Sequence, residues 1–212
     1  MCLASSWWSK TWLWIIGVFT IKLKYGNTFT YLIKGDYGNL LIDTDYAGSL
    51  LSFFKELKKN NLKIEDINYV IATHYHPDHM GLIGELQKYN VKLIIVNNQL
   101  DYIDFSYSIF NKDKIKYIPI NIDDAIIINE DESRKLLAKM GINGEIIITP
   151  SHSKDSISIV LDDGNCFVGD LEPYSYIGGY IDNDDLKRDW ELINKYKPKV
   201  VHFGHINDVF LD

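Results

Sequence analysis

The sequence predicts a layered α/β fold in a single domain, and one observation supports each part of this prediction. First, strands and helices alternate: an apolar, β-branched run at residues 67–72 precedes a helical pattern, and a second buried strand is expected at residues 91–96. Second, 212 residues, of which 46% are hydrophobic, suit one domain with a sizeable core. We therefore expect residues 1–212 to form a single domain.

The N-terminus could form a packed edge element or an extension over residues 1–17. Residues 13–19 are apolar except for Gly17 and resemble the core of a secretion signal. However, no small-residue cleavage site follows Lys10, and the run is too short to span a bilayer. We expect neither export nor membrane anchoring. The region is also unusually rich in tryptophan, with Trp7, Trp8, Trp12 and Trp14.

A strand, a hairpin and a helix are predicted next. The strand covers residues 18–23, and residues 29–33 and 39–42 form paired strands around a turn rich in glycine and aspartate. Residues 48–59 have the spacing of an amphipathic helix. Its apolar side is predicted to comprise Leu50, Leu51, Phe53, Phe54 and Leu57.

Residues 74–79 read His-Tyr-His-Pro-Asp-His and directly follow a predicted strand. In an extended segment His74 and His76 point to the same side, as a shared cation requires. The apolar spacing that follows places Asp78 and His79 at a helix N-terminus. Solvated surface histidines are the alternative, but imidazole and carboxylate at this density are typical of a zinc site. The pattern therefore predicts metal binding.

The second half of the chain is predicted to continue the alternation. An aromatic stretch at residues 102–117 is expected to pack over the sheet rather than to line a substrate pocket. Beyond it we expect strands at residues 125–128, 145–149, 157–161, 165–168 and 199–203, and helices at residues 132–140 and 184–196.

The chain resembles the metallo-β-lactamase fold superfamily from about residue 21 onward. Residues 74–79 match the signature His-x-His-x-Asp-His of that superfamily. Residues 149–156 are similar to its Thr-Pro-Gly-His-Thr-Pro-Gly-Ser loop, although Ser151, Lys154 and Asp155 replace the usual glycine, proline and glycine. The fold that this resemblance implies is a four-layer αββα sandwich.

The resemblance also implies a ligand set for two metal ions. It assigns the first ion to His74, His76 and His152. It assigns the second ion to Asp78, His79 and His205, with Asp170 as a carboxylate shared by both.

Two such ions would be zinc, with iron or manganese as alternatives, and would hold a bridging hydroxide. We expect attack on an ester, thioester, lactone or amide carbonyl of a small molecule, with Asp78 orienting the nucleophile or accepting a proton. The superfamily resemblance does not identify the substrate, because the fold serves many reactions.

Several further residues have a chemistry or a position that could place them in the site. Asp43 matches a superfamily aspartate that supports the metal loops, and a cap or turn role is the alternative. Cys166 lies four residues before Asp170, so we do not expect a thiolate ligand. His202 is expected to be a core or supporting histidine. A Ser-His dyad at residues 151–152 is disfavoured, because adjacent residues rarely meet in nucleophile-base geometry.

The loop at residues 171–180 contains three tyrosines that could lie near the metals. Tyrosines in loops more often pack and hydrogen-bond locally, so we assign none of them to catalysis. The three are Tyr174, Tyr176 and Tyr180.

Two other classes of function remain open. Relatives with nearly the same ligands hold iron and act on oxygen or persulfides, and imidazole with carboxylate suits a mononuclear iron site as well as zinc. His76 argues against the flavin-linked di-iron branch, which usually has glutamate there. The other class is a metal-stabilised binding protein without catalysis.

Charge and cysteine content limit the partners and the compartment. A net charge of -7 disfavours broad electrostatic binding to nucleic acid or to anionic membranes. Two cysteines provide no disulfide framework, so we expect a reducing cytoplasm. The oligomeric state cannot be predicted from the sequence.

Overall fold

The computed structural model describes residues 19–179 and 183–211. The tryptophan-rich residues 1–17, Cys2 and Tyr180 therefore lie outside the described residues. Within those residues the chain forms two sheets and six α-helices, which confirms the mixed α/β prediction.

The first sheet has six strands that are hydrogen-bonded in chain order. They are β1 (Phe19–Lys24), β2 (Phe29–Lys34), β3 (Leu40–Ile42), β4 (Tyr69–Ile71), β5 (Lys92–Val96) and β6 (Ile126–Ile128). The first three strands pair antiparallel, as the predicted hairpin requires, and the rest pair parallel. The parallel strands place their carboxyl ends at one edge of the sheet.

The second sheet has five strands in the order β11, β10, β9, β8, β7. Their bounds are β7 (Gly144–Ile148), β8 (Ile157–Leu161), β9 (Asn165–Gly169), β10 (Val200–Phe203) and β11 (Val209–Phe210). The predicted hairpin of β8 and β9 is confirmed, and β10 runs parallel to β9. The final strand β11 was not predicted, and it pairs antiparallel with β10.

The helices connect and cover the sheets. They are α1 (Leu50–Lys59), α2 (Pro77–Met80), α3 (Ile83–Gln87), α4 (Tyr107–Lys112), α5 (Ser133–Lys139) and α6 (Asp184–Asn194). Helix α6 begins at an N-cap, because the Asn183 side chain accepts a hydrogen bond of 2.9 Å from the Leu186 amide.

Three apolar clusters separate the four layers. Phe53 and Leu57 of α1 pack on the outer face of the first sheet, in the same cluster as Leu32. The next residue, Ile33, belongs to the cluster between the two sheets, because successive residues of a strand face opposite sides. The third cluster joins the second sheet to α6 through its Trp190. This layer order is that of an αββα sandwich.

Two local predictions were wrong. The helix expected after residue 77 is split into α2 and α3, because the Leu82 amide donates to Thr44 Oγ1 at 3.2 Å instead of to a helical carbonyl. The helical spacing predicts Leu51 on the apolar side of α1, but Leu51 is 74% exposed, since that helix buries only Phe53 and Leu57 completely. Among the described residues, no helix is both long and apolar enough to cross a membrane.

Candidate metal centre

The seven predicted ligand side chains converge at one edge of the sandwich. The first four lie in the loop after β4 and in α2, which follows it. One lies in the loop between β7 and β8, and the last two follow the carboxyl ends of the parallel strands β9 and β10. The residues brought together are His74, His76, Asp78, His79, His152, Asp170 and His205.

Three histidines form the first ligand cluster. His76 Nδ1 lies 3.0 Å from His74 Nε2 and 3.2 Å from His152 Nε2. The three nitrogen atoms all lie within 4.8 Å of one another. Two of them come from the loop of the first sheet and one from the second sheet, so this cluster spans both sheets.

Asp78, His79 and His205 form the second ligand cluster. His205 Nε2 lies 3.3 Å from His79 Nε2 and 3.2 Å from Asp78 Oδ2. One ligand atom from each of these residues lies within 4.8 Å of the others. Pro77 occupies the first turn of α2, and its fixed backbone angle starts the helix that presents Asp78 and His79.

The Asp170 carboxylate lies between the two clusters. Its Oδ1 is 3.2 Å from His79 Nε2 and 3.4 Å from His205 Nε2. Its Oδ2 is 3.9 Å from His74 Nε2 and 3.8 Å from His152 Nε2. One oxygen therefore faces each cluster.

Asp43 orients the second cluster through its contact with His79. Its side chain is buried and accepts hydrogen bonds from the Thr73 amide at 2.6 Å and the Thr73 hydroxyl at 2.9 Å. Its Oδ2 also lies 2.9 Å from His79 Nδ1. Of the two roles considered for Asp43, the structure favours the supporting one, because a carboxylate on Nδ1 leaves Nε2 facing the cluster.

The hydrogen-bond network indicates which ring nitrogen of His74 carries the hydrogen and which has a free lone pair. Thr73 Oγ1 lies 3.1 Å from His74 Nδ1 and donates its own hydrogen to Asp43. The Thr73 oxygen therefore accepts from His74 Nδ1, which leaves the lone pair of His74 Nε2 directed at His76 Nδ1. Converging imidazole lone pairs and carboxylates fit one divalent cation per cluster, so the donor set suits the metal ions that the fold implies.

The charges of the site depend on these contacts. Burial would raise the pKa of the Asp170 carboxyl, but hydrogen bonds with His205 and His79 outweigh it and hold that pKa below its usual range. Hydrogen bonds with Asp170 and Asp78 raise the pKa of His205 to about 10. Burial and the neighbouring His79 lower the pKa of His74 well below its ordinary value. The carboxylates thus favour positive charge in the second cluster, and His74 stays neutral in the first.

Gly169 permits the two sheets to approach closely at this edge. Its backbone φ is +58°, and a Cβ atom there would lie 2.3 Å from Thr73 Oγ1. Any other residue would displace the threonine that contacts Asp43 and His74. The Gly-Asp pair at residues 169–170 therefore fixes the position of the shared carboxylate.

A cleft of about 290 Å³ opens beside the two clusters. His152, Asp170 and His205 line one part of it, and apolar side chains line another part. The apolar lining residues are Leu171, Pro173, Phe203 and Ile206. No lysine or arginine of the described residues lines this cleft.

Phe105 is a neighbour of the site that the sequence did not reveal. Its ring centroid lies 5.5 Å from that of His76, and the residue is 51% exposed. The sequence showed only that residues 102–117 are rich in aromatics, which fits packing equally well. Phe110 of the same stretch is fully buried, so the stretch contains both kinds of residue.

Other residues considered as site components lie elsewhere. Cys166 is buried in the apolar cluster under α6, and burial raises the pKa of its thiol, so it is not placed as a ligand. The His202 ring stacks on Phe167 with centroids 4.6 Å apart, as expected for a core histidine. Tyr174 packs edge-on against Trp190, and Tyr176 is exposed.

Comparison with known proteins shows the family of this fold. A family model described as the metallo-beta-lactamase superfamily matches residues 23–205. The metallo-beta-lactamase fold-containing protein ST1585 of Sulfurisphaera tokodaii is 25% identical over 82% of this chain and 71% of its own. The crystal structure of ST1585 aligns with a TM-score of 0.66 over 90% of this chain and 81% of that chain, at 22% identity.

Two further relatives have names that refer to different chemistry. The probable hydroxyacylglutathione hydrolase glo2 of Schizosaccharomyces pombe is 24% identical over 79% of this chain and 57% of its own. The flavo-diiron protein FprA2 of Clostridium acetobutylicum is 31% identical over 54% of this chain and 28% of its own. The chain thus spans little more than half of the first of these proteins and less than a third of the second.

Proposed function

Because this chain belongs to the metallo-beta-lactamase superfamily, we propose that it is a metal-dependent hydrolase that binds two divalent ions, most readily zinc. His74, His76 and His152 would hold the first ion, and Asp78, His79 and His205 the second. The observation that carries this proposal is Asp170, whose two oxygens face different clusters. A carboxylate in that position suits a pair of ions better than a single one.

Two ions held there would supply a hydroxide nucleophile at neutral pH and a Lewis acid for a carbonyl oxygen. The protein contributes the remaining functions. Asp43 and Thr73 hold the rings of His79 and His74 in one orientation. Asp78 lies at the partly exposed side of the second cluster, where its carboxylate would orient a water molecule or accept its proton.

The cleft favours an uncharged substrate. Leu171, Pro173, Phe203 and Ile206 offer apolar contacts for an acyl group beside the clusters. Asp170 and Glu172 contribute acidic side chains to the same lining, and its basic side chains among the described residues are His152 and His205, which the proposal assigns to the metal ions. We therefore propose a neutral ester, lactone, amide or small thioester rather than an anionic substrate.

Metal content and hydrolysis would test the proposal together. Elemental mass spectrometry of freshly purified protein should find about two zinc ions per chain, as binuclear hydrolases hold. Chelator-sensitive hydrolysis of neutral esters or lactones should exceed that of carboxylate-bearing analogues. Asp170→Asn should lower both metal content and turnover, whereas Asp163→Asn, in the turn before β9, should change neither.

Two other outcomes would favour a different function. About one iron per chain without hydrolysis would contradict the proposal and favour oxygen or persulfide chemistry at a mononuclear site, for which imidazole and carboxylate are also suitable. Bound metal without turnover on any member of the panel would favour a metal-stabilised binding protein.

A further inference from the structure

The loop that carries His205 is held by the opposite sheet. The Phe29 amide of β2 donates to the Gly204 carbonyl at 2.7 Å. The Tyr31 hydroxyl of the same strand donates to the Phe203 carbonyl at 2.9 Å. His205 Nδ1 lies 3.3 Å from the carbonyl oxygen of Asn27, which leaves His205 Nε2 directed at the second cluster.

A second set of contacts anchors the far end of this loop. Asp208 Oδ1 lies 2.8 Å from Lys22 Nζ, 3.2 Å from the Tyr31 hydroxyl and 3.2 Å from His202 Nδ1. We call these four residues the Asp208 cluster: Lys22, Tyr31, His202 and Asp208. Three of its contacts converge on one carboxylate oxygen, and the cluster joins β1 and β2 of the first sheet to β10 of the second.

The surroundings of the Asp208 cluster restrict its movement. Tyr31 and His202 are 2% and 8% exposed. His202 Nε2 lies 2.9 Å from Asn165 Oδ1, and Lys22 Nζ lies 3.7 Å from the centroid of the Phe29 ring. Lys22, Tyr31 and His202 are therefore each held by a second contact or by burial, while no member of the cluster belongs to either ligand cluster.

The first ligand cluster depends on different contacts. The loop of His152 is tied to the β4 loop by Asp155, whose Oδ2 accepts from the Tyr75 amide at 2.6 Å. The Ile157 amide donates to the Thr73 carbonyl at 2.9 Å at the same junction. These contacts share no residue with the Asp208 cluster, so loss of the Asp208 cluster leaves the contacts of the His152 loop intact.

We propose that Tyr31 and Asp208 are positioning residues for His205, and that they set the affinity of the second ligand cluster for its metal ion without affecting the first. This inference rests on the proposed binding of two ions. Tyr31 acts on the start of the loop through the Phe203 carbonyl, and Asp208 acts on its end. Loss of either contact lets the loop shift relative to Asp78 and His79, which lie in helix α2.

Zinc affinity provides the test. Zinc would be titrated into metal-free protein against a chromophoric chelator, with wild type, Tyr31→Phe, Asp208→Asn and His205→Ala. We expect Tyr31→Phe and Asp208→Asn to lower the affinity for one of the two zinc ions by about tenfold or more, because loss of a residue that supports a metal ligand commonly has an effect of this size. The weakened ion should be the one lost in His205→Ala, and the other affinity should be unchanged.

Asp162→Asn is the matched control, because it breaks an exposed ion pair between Asp162, in the turn after β8, and Arg134 of helix α5. It should leave both affinities unchanged. Unchanged affinities in Tyr31→Phe and Asp208→Asn would overturn the inference. An equal loss of affinity for both ions, together with a lower melting temperature, would also overturn the inference, because this result would indicate a general structural role.

A measurement on metal-free protein separates this inference from the proposed function. The imidazole resonances of His205 should shift or broaden in Tyr31→Phe and Asp208→Asn, while those of His152 stay in place. Unchanged His205 resonances would contradict the positioning role whatever the wild type binds. Fewer than two ions in the wild type would instead contradict the proposed function.

Discussion

At the scale of single residues, Asp43 combines two demands that few side chains meet. Its backbone has a φ of +60°, in the left-handed region that aspartate and asparagine tolerate best among non-glycine residues. Its carboxylate also accepts the bonds of Thr73 and contacts His79. The residue therefore shapes the backbone after β3 and orients a ligand of the second cluster.

Asp43→Asn should preserve the backbone and weaken the orientation of His79. An amide supplies one oxygen acceptor where the carboxylate supplies two, so zinc affinity should fall by about 10- to 100-fold. Competition with a chromophoric chelator would measure it. Asp36→Asn, at an exposed turn position, is the control, and equal affinities in the two variants would exclude a role for Asp43 in orienting the ligand.

Sequence spacing is most informative for residues whose role is local. His74, His76, Asp78 and His79 share one short motif, and their order along the strand and helix determines where they point. The role of Asp208 depends on Lys22, which lies 186 positions away, so no spacing could reveal it. Phe105 was missed for the same reason, because its contact with His76 depends on the course of a loop.

At the scale of elements, a short 3-10 helix over Asn97–Tyr102 joins the two loops of the first cluster. The Gln99 side chain is fully buried and donates to the Ala72 carbonyl at 3.0 Å and to the Asp155 carbonyl at 3.2 Å. Its Oε1 accepts from the Val96 amide. One amide side chain thus satisfies backbone groups of three segments.

Gln99→Ala should lower the free energy of unfolding by about 2 to 3 kcal/mol, because it leaves buried carbonyls without donors. Urea denaturation monitored by circular dichroism would measure the change. Gln87→Ala removes a comparable but exposed bond to Asn121 and should cost less than about 1 kcal/mol. A cost for Gln99→Ala as small as that of Gln87→Ala would contradict this account.

Element boundaries were predicted less well than element types. Most predicted strands and helices exist, but tertiary contacts moved their ends. The split between α2 and α3 arises from the contact of Leu82 with Thr44. This contact joins residues far apart in the sequence, so the spacing of apolar residues in the helix could not predict it. The two-residue strand β11 has exposed side chains and no alternating pattern, so it gave no signal.

At the scale of the whole molecule, the apolar clusters and the ligand clusters are separate features. Three apolar clusters hold the four layers together, and the candidate ligands lie at one edge of them. The layer order was implied by resemblance rather than by composition. Hydrophobic content alone predicted a core but not its division into three.

Removal of metal should therefore lower stability without unfolding the protein. Ligands that bind only the folded state stabilise it by mass action, so EDTA should lower the melting temperature while far-UV circular dichroism at 25 °C stays unchanged. Calcium-saturated EDTA is the control for the chelator itself. Loss of the circular dichroism signal after metal removal would show that the apolar clusters are insufficient, and an unchanged melting temperature would show that no metal had been bound.

The order of the ligands along the chain has a consequence for biosynthesis. The motif at residues 74–79 leaves the ribosome well before His205, which lies 126 positions after His79 and reaches the site only once β10 has paired with β9. A nascent chain that stops before that strand holds no complete second cluster. We therefore expect the second metal ion to bind only after His205 has been synthesised and β10 has paired with β9.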